Sequence, residues 1–99
     1  MEFKKSSDRI WLEDAQGREI AFVSFPAQSE QTVEIDHTVV DDSLRGQGIA
    51  GALLETLAQD LREQGKTAVP TCPYAVKWFE KHPDQADLLW AEKGKRAEA

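Results

Sequence analysis

The feature that most constrains this chain is a change of hydrophobic period at residues 41–48. From Val33 to Val39 the apolar pattern repeats at every second position; from Ile49 onward apolar residues recur at every third and fourth. A period of two belongs to a strand with one buried face, and a period near 3.6 belongs to an amphipathic helix. Between them lies Arg45-Gly-Gln-Gly-Ile-Ala50, with glycines at 46 and 48. The chain therefore passes from strand to helix through a glycine turn, and the remaining elements must be arranged around that junction.

Before the junction, Arg9–Glu13 alternates as a strand and Asp14–Gly17 has turn chemistry. Glu19–Phe25 is a second strand, rich in aromatic and β-branched residues and ended by Pro26. The third, Thr32–Val40, places Val33, Ile35, His37 and Val39 on one face and Thr32, Glu34, Asp36 and Thr38 on the other. Short connections predict an antiparallel meander. After the junction, Ile49, Ala50, Leu53, Leu54, Leu57 and Leu61 form the apolar stripe of a helix that Gly65 closes. Lys66–Thr71 follows as a fourth strand, parallel to the third through a crossover. Pro73 then opens a second helix to Lys81, with Cys72 or Thr71 at its cap, and Asp84–Trp90 forms a short final turn or helix. The order β-β-β-α-β-α predicts an α+β fold whose mixed sheet is an antiparallel meander plus one parallel crossover strand. Residues 1–91 are expected to form a single domain, and 92–99 a charged flexible tail.

Composition narrows the function. At 99 residues the chain supports one core. No apolar run approaches the ~20 residues that cross a bilayer, and the lysines near the start precede no apolar signal segment. Cys72 is the sole cysteine, which excludes an internal disulfide, and metal-ligand spacings are missing. These features predict a cytoplasmic, metal-free protein away from membranes. The net charge of −6 argues against nucleic acid and weakly favours a cationic substrate such as an amine.

The glycine turn carries the chemistry. At a helix start several backbone N–H groups lack an intrahelical acceptor. Gly46 and Gly48 would let an anion approach the backbone closely, while the helix dipole and Arg45 add positive charge. The turn reads either as a helix start only or as a pyrophosphate cradle. Gly46, Gly48 and Gly51 also spell the GxGxxG of dinucleotide-binding folds. That pattern belongs in the first βα unit of a parallel sheet, with an acid about twenty residues on. Here it follows antiparallel strands, and Ala68–Cys72 contains no acid.

Val39 to Ala50 resembles the cofactor motif of the GNAT N-acetyltransferase superfamily, as Arg45-x-x-Gly48-x-Ala50. Cys72-x-x-Ala75-Val-x-Trp-Phe79-Glu-Lys81 is similar to the second motif of that superfamily. The whole chain looks like its short, single-domain members of the YjdJ type. The resemblance implies that acetyl-CoA binds between splayed third and fourth strands. Its pantetheine arm would lie along the backbone edge at Val39 and Val40. Its pyrophosphate would sit on the N–H groups of Gly46, Gln47, Gly48, Ile49 and Ala50, beside Arg45. Donors near Val39 would polarise the thioester carbonyl.

The same resemblance departs at the residues for proton transfer. Phe79 occupies a position usually held by tyrosine, and Cys72 one usually held by asparagine. Cys72, before a helix start, reads either as an acyl acceptor or acid/base group, or as a small buried hydrophobe. His37 reads as a base for the acceptor amine or as a hydrogen-bonded core histidine. Tyr74 either supplies the missing hydroxyl or packs on Trp78. Glu34 and Asp36 either attract a cation or face water, and Lys77 and Lys81 read either as contacts to cofactor phosphates or as surface lysines, the surface being favoured. The expected function is acetyl transfer from the CoA thioester to an unidentified amine; the alternative is a non-catalytic or partner-dependent CoA-binding module. Three tryptophans suggest apolar surface that a homodimer would cover.

Overall fold

In the computed structural model, which describes residues 2–90, Arg9–Glu13 (β2) and Glu19–Ser24 (β3) form the expected antiparallel hairpin. Ile10 faces Val23 and Leu12 faces Ala21, so one side of the hairpin is a buried apolar row. The turn is held by the Asp14 carboxylate, which accepts the N–H groups of Gln16 and Arg18 at 2.9 Å each. A further strand, Lys4–Lys5 (β1), lies along β2. Two exposed lysines have no apolar alternation, and the sequence therefore gives no sign of it. The tail expected at 92–99 and the expected domain end at residue 91 lie outside the described residues.

The predicted third strand is two strands, Thr32–Ile35 (β4) and His37–Val40 (β5), divided at Asp36. Ala27 pairs with Val33 and Ser24 with His37, so one chain advances three residues while the other advances four. Asp36 is the extra residue, and its N–H donates to the Ser24 carbonyl at 3.2 Å. This is a β-bulge, and it reverses the alternation of side chains. Val33 and Ile35 are buried before it; beyond it, Thr38 and Val40 take the inward side. The His37 side chain is 68% exposed and Val39 is 47% exposed. The expectation of a core histidine on an apolar face is therefore corrected: a one-residue register change turns it outward.

The bulge also divides the sheet. β5 completes an antiparallel order β1-β2-β3-β5, while β4 pairs in parallel with Thr67–Pro70 (β6), as the crossover requires. The connecting helix, Ile49–Gln64 (α1), lies against β2, β3, β5 and β6. Ile49, Leu53, Leu54, Leu57, Ala58 and Leu61 enter the core, and Gly65 ends the helix at φ 70°. Ala50, expected on this stripe, is only half-buried.

The second helix, Pro73–Lys81 (α2), buries Ala75, Trp78 and Phe79. Trp78 meets Phe79 edge-on at 5.0 Å between centroids and stacks on His82 at 4.3 Å. A 3-10 turn at Pro83–Leu88 leads to Trp90, whose N–H donates to Ala68 on β6 at 3.1 Å. Of the three tryptophans, Trp78 belongs to the core, Trp11 is half-buried, and Trp90 is 52% exposed. The apolar surface they leave for a partner is thus smaller than their number suggests.

Candidate functional site

At the bulge, the strand pair comes apart. The Ile35 carbonyl accepts both the Thr71 N–H (3.0 Å) and the Cys72 N–H (3.1 Å), the last backbone bonds between the two strands. Beyond them β5 continues along β3, whereas the other chain turns into α2. The second edge of β5 has no strand beside it among the described residues. In register, the Asp41 N–H donates to the Ile20 carbonyl at 2.8 Å. Antiparallel ladders alternate, so this bond directs the peptide groups of His37 and Val39 at β3 and those of Thr38 and Val40 at the open edge. Of the two residues expected at the edge, only Val40 presents its backbone there; Val39 does not, because the parity points it inward.

The turn after β5 is built by side chains that fix its backbone. The Asp41 carboxylate accepts the Ser43 N–H at 3.0 Å and caps a 3-10 turn at Asp42–Leu44. Hydrogen bonds from the Ser43 hydroxyl and backbone hold the Asp41 carboxyl below its ordinary pKa. The chain next passes through Gly46 and Gly48 at φ 81° and 74°, where an L side chain is strained. The first bond of α1 runs from the Ala52 N–H to the Gly48 carbonyl at 3.0 Å. The N–H groups of Gly46, Gly48, Ile49, Ala50 and Gly51 consequently have no acceptor among the described residues. Gln47, expected in this row, is excluded because its N–H donates to the Leu44 carbonyl at 3.3 Å.

A cleft of about 320 Å³ opens between β5, this turn and α2. Thr38 and Val40 form one wall, Leu44, Arg45, Gly46 and Gly48 another, and Ile49, Ala50 and Tyr74 the third. Among the described residues no carboxylate lines it. The Arg45 Nε stands 3.2 Å from Asp42 Oδ1, an exposed pair that contributes little and leaves the guanidinium free to turn toward an anion. A second cleft of about 450 Å³ runs between α1 and α2, lined by Gly51, Glu55, Lys77, Lys81 and His82 among others. Tyr74 borders both clefts, and a Cβ on Gly51 would stand 3.9 Å from its hydroxyl.

The two candidates for proton transfer lie on opposite sides of β5. Cys72 is 6% exposed; its thiol donates to Thr38 Oγ1 at 3.4 Å and accepts the Ala75 N–H at 3.4 Å. It therefore stands directly behind the cleft wall, with Thr38 between it and the cleft. His37 faces away from this cleft, with Nδ1 3.4 Å from Asp36 Oδ1. Phe79 is buried in the core. Thr38 joins the site although no motif marks it, because it turns inward only through the bulge, and Gly51 borders the groove between α1 and α2.

A family profile described as GCN5-related N-acetyl-transferase matches residues 9–88. No curated protein matches the chain. Among solved structures, a GCN5-like protein from Staphylococcus aureus is 26% identical, with a TM-score of 0.76 over 91% of this chain and 88% of that one. The GNAT family N-acetyltransferase YhbS from Escherichia coli, solved in complex with CoA, is 28% identical over 63% of this chain, with a TM-score of 0.55. Rv2747 from Mycobacterium tuberculosis, also in complex with CoA, is 20% identical over 77% of this chain, with a TM-score of 0.61, a likeness of fold alone. The chain spans only 38% and 47% of those last two proteins.

Proposed function

The chain belongs to the GCN5-related N-acetyltransferase family, and on that premise we propose that it binds acetyl-CoA beside β5 and transfers the acetyl group to an amine. The observation that carries this reading is the row of unpaired N–H groups at Gly46, Gly48, Ile49 and Ala50, opening with Arg45 onto the cleft. These donors and the dipole of α1 suit the diphosphate of CoA, and a hydrogen bond to a charged group contributes roughly 1.5–3 kcal/mol. The open peptide edge at Thr38 and Val40 suits a pantetheine arm. Bound there, acetyl-CoA supplies an electrophilic thioester carbonyl and a thiol leaving group. A β5 N–H aimed at the carbonyl oxygen would stabilise the negative charge that develops on it. Residues 1–91 act as the binding unit, and Lys77 and Lys81, across the shared Tyr74 wall, are placed to meet further phosphate charge.

His37 serves as the base that deprotonates the acceptor, and Cys72 takes part from behind Thr38, as a proton donor or as a transient acyl acceptor. Cys72→Ser and mass spectrometry after mixing with acetyl-CoA test this: full transfer without an acetylated cysteine would leave Cys72 a packing residue. The buried Phe79, which brings no hydroxyl to the leaving thiolate, favours a second reading, a CoA-binding module without efficient transfer. Release of free CoA from acetyl-CoA across a panel of amines discriminates the two. Both require that the double variant Arg45→Ala, Gly48→Ala lose CoA affinity in calorimetric titration; unchanged affinity overturns the cofactor site itself.

A further inference from the structure

The bulge brings together two side chains that an unbroken strand would separate. Neighbours in a strand point to opposite faces; at the bulge Asp36 and His37 meet, with Asp36 Oδ1 3.4 Å from His37 Nδ1. The carboxylate is itself anchored from β3, where the Ser24 hydroxyl donates to the same Oδ1 at 2.5 Å. The Asp36 side chain is the more buried of the pair, at 28% exposed, so the fixed group is the anion and the mobile group is the ring. We propose that Asp36, anchored by Ser24, is a positioning residue for His37: it holds Nδ1 and thereby presents Nε2 to the acceptor amine.

This rests on the reading of His37 as the base. With the Nδ1 proton directed at Asp36, the lone pair of the neutral ring lies on Nε2. Nε2 then accepts the proton that the amine loses as its nitrogen bonds to the thioester carbon and the sulfur departs as thiolate. Asp36 offsets the positive charge the ring acquires. Burial opposes ionisation of Asp36, but hydrogen bonds from Ser24 and His37 outweigh it and hold the carboxyl below its ordinary value. Other charges nearby are engaged elsewhere. Arg9, whose Cα partner is Ser24, binds Glu19 and lies over the Phe22 ring at 4.1 Å. Among the described residues no other ion pair reaches the His37 ring.

The test uses the whole chain and follows both histidines by NMR, with His82 as the internal reference. In Asp36→Asn the His37 ring loses its preference for the Nδ1–H tautomer, read from its ring-nitrogen shifts, while the His82 tautomer is unchanged. This readout needs no acceptor. In the transfer assay kcat/KM falls about tenfold, a fraction of the 100-fold or more that a general base contributes. Ser24→Ala produces the same changes in weaker form and serves if Asp36→Asn fails to fold. An unchanged His37 tautomer ratio and an unchanged kcat/KM in both variants overturn the inference. Loss of transfer in His37→Gln with no effect at Asp36 overturns it alone; full transfer in His37→Gln overturns the base reading with it.

Discussion

Gly48→Ala separates the cost of a strained backbone from the cost of blocking a ligand. Gly48 has φ 74°, and an ideal Cβ there would meet nothing within 4 Å. The change therefore adds no clash within the protein, only the left-handed conformation, at about 1–2 kcal/mol. For a domain of this size, 1 kcal/mol lowers Tm by roughly 4–8 °C. Gly17, in the β2–β3 turn, has φ 83° and the same open space, so Gly17→Ala carries the same penalty away from the cleft. The two variants should lose equal stability in denaturant titrations. Only Gly48→Ala should lose CoA affinity, because its methyl group stands among N–H groups that a diphosphate must approach within about 3 Å. A loss of at least tenfold is expected in calorimetric titration, about 1.4 kcal/mol. Equal affinity in the two variants would refute the argument that the turn cradles the ligand.

Leu57→Ala removes a fully buried side chain of α1 and should destabilise the protein by about 2–5 kcal/mol in denaturant unfolding, with CoA affinity unchanged in the folded fraction. The carboxyls of Asp14, Asp36 and Asp41 are all held below their ordinary value of 3.8. A depressed folded-state pKa gives stability that is present above 3.8 and lost as pH falls through the folded value. Stability should accordingly decline below about pH 4, and Asp36→Asn should flatten that decline; an unchanged acid slope would contradict it. Lys77→Ala with Lys81→Ala should weaken CoA binding and reduce its salt dependence, whereas binding of a dephosphorylated pantetheine thioester should be unaffected.

Local chemistry and the sense of strand pairing were readable, and the register at the bulge was not. The α1 stripe, its glycine approach and its Gly65 end appear in the sequence because each depends on neighbours within a few residues. So does the Cys72 cap of α2, with Pro73 in the first turn. The bulge is different. Thr32–Val40 alternates closely enough to read as one strand, and Asp36 is an ordinary polar residue in an outward position. Only the pairing of Ala27 with Val33 and of Ser24 with His37 reveals the extra residue. The misplacements along the strand follow from that single step: His37 on the apolar face, Val39 at the open edge, and Thr38 in no role. The Thr38–Cys72 contact joins residues 34 apart in sequence and needs both the register change and the α2 cap. The exclusion of Gln47 from the cradle needs the 3-10 turn, whose geometry a glycine pattern does not encode.

The reversal of side chains at Asp36 makes β5 a partition with two doors. Thr38 looks into the cleft proposed for the thioester, and His37 looks out on the opposite side. An acceptor that meets His37 then arrives and departs by a route separate from that of CoA. On the proposed reading the two meet only at the open edge of β5, the acceptor coming from the His37 side and CoA from the Thr38 side.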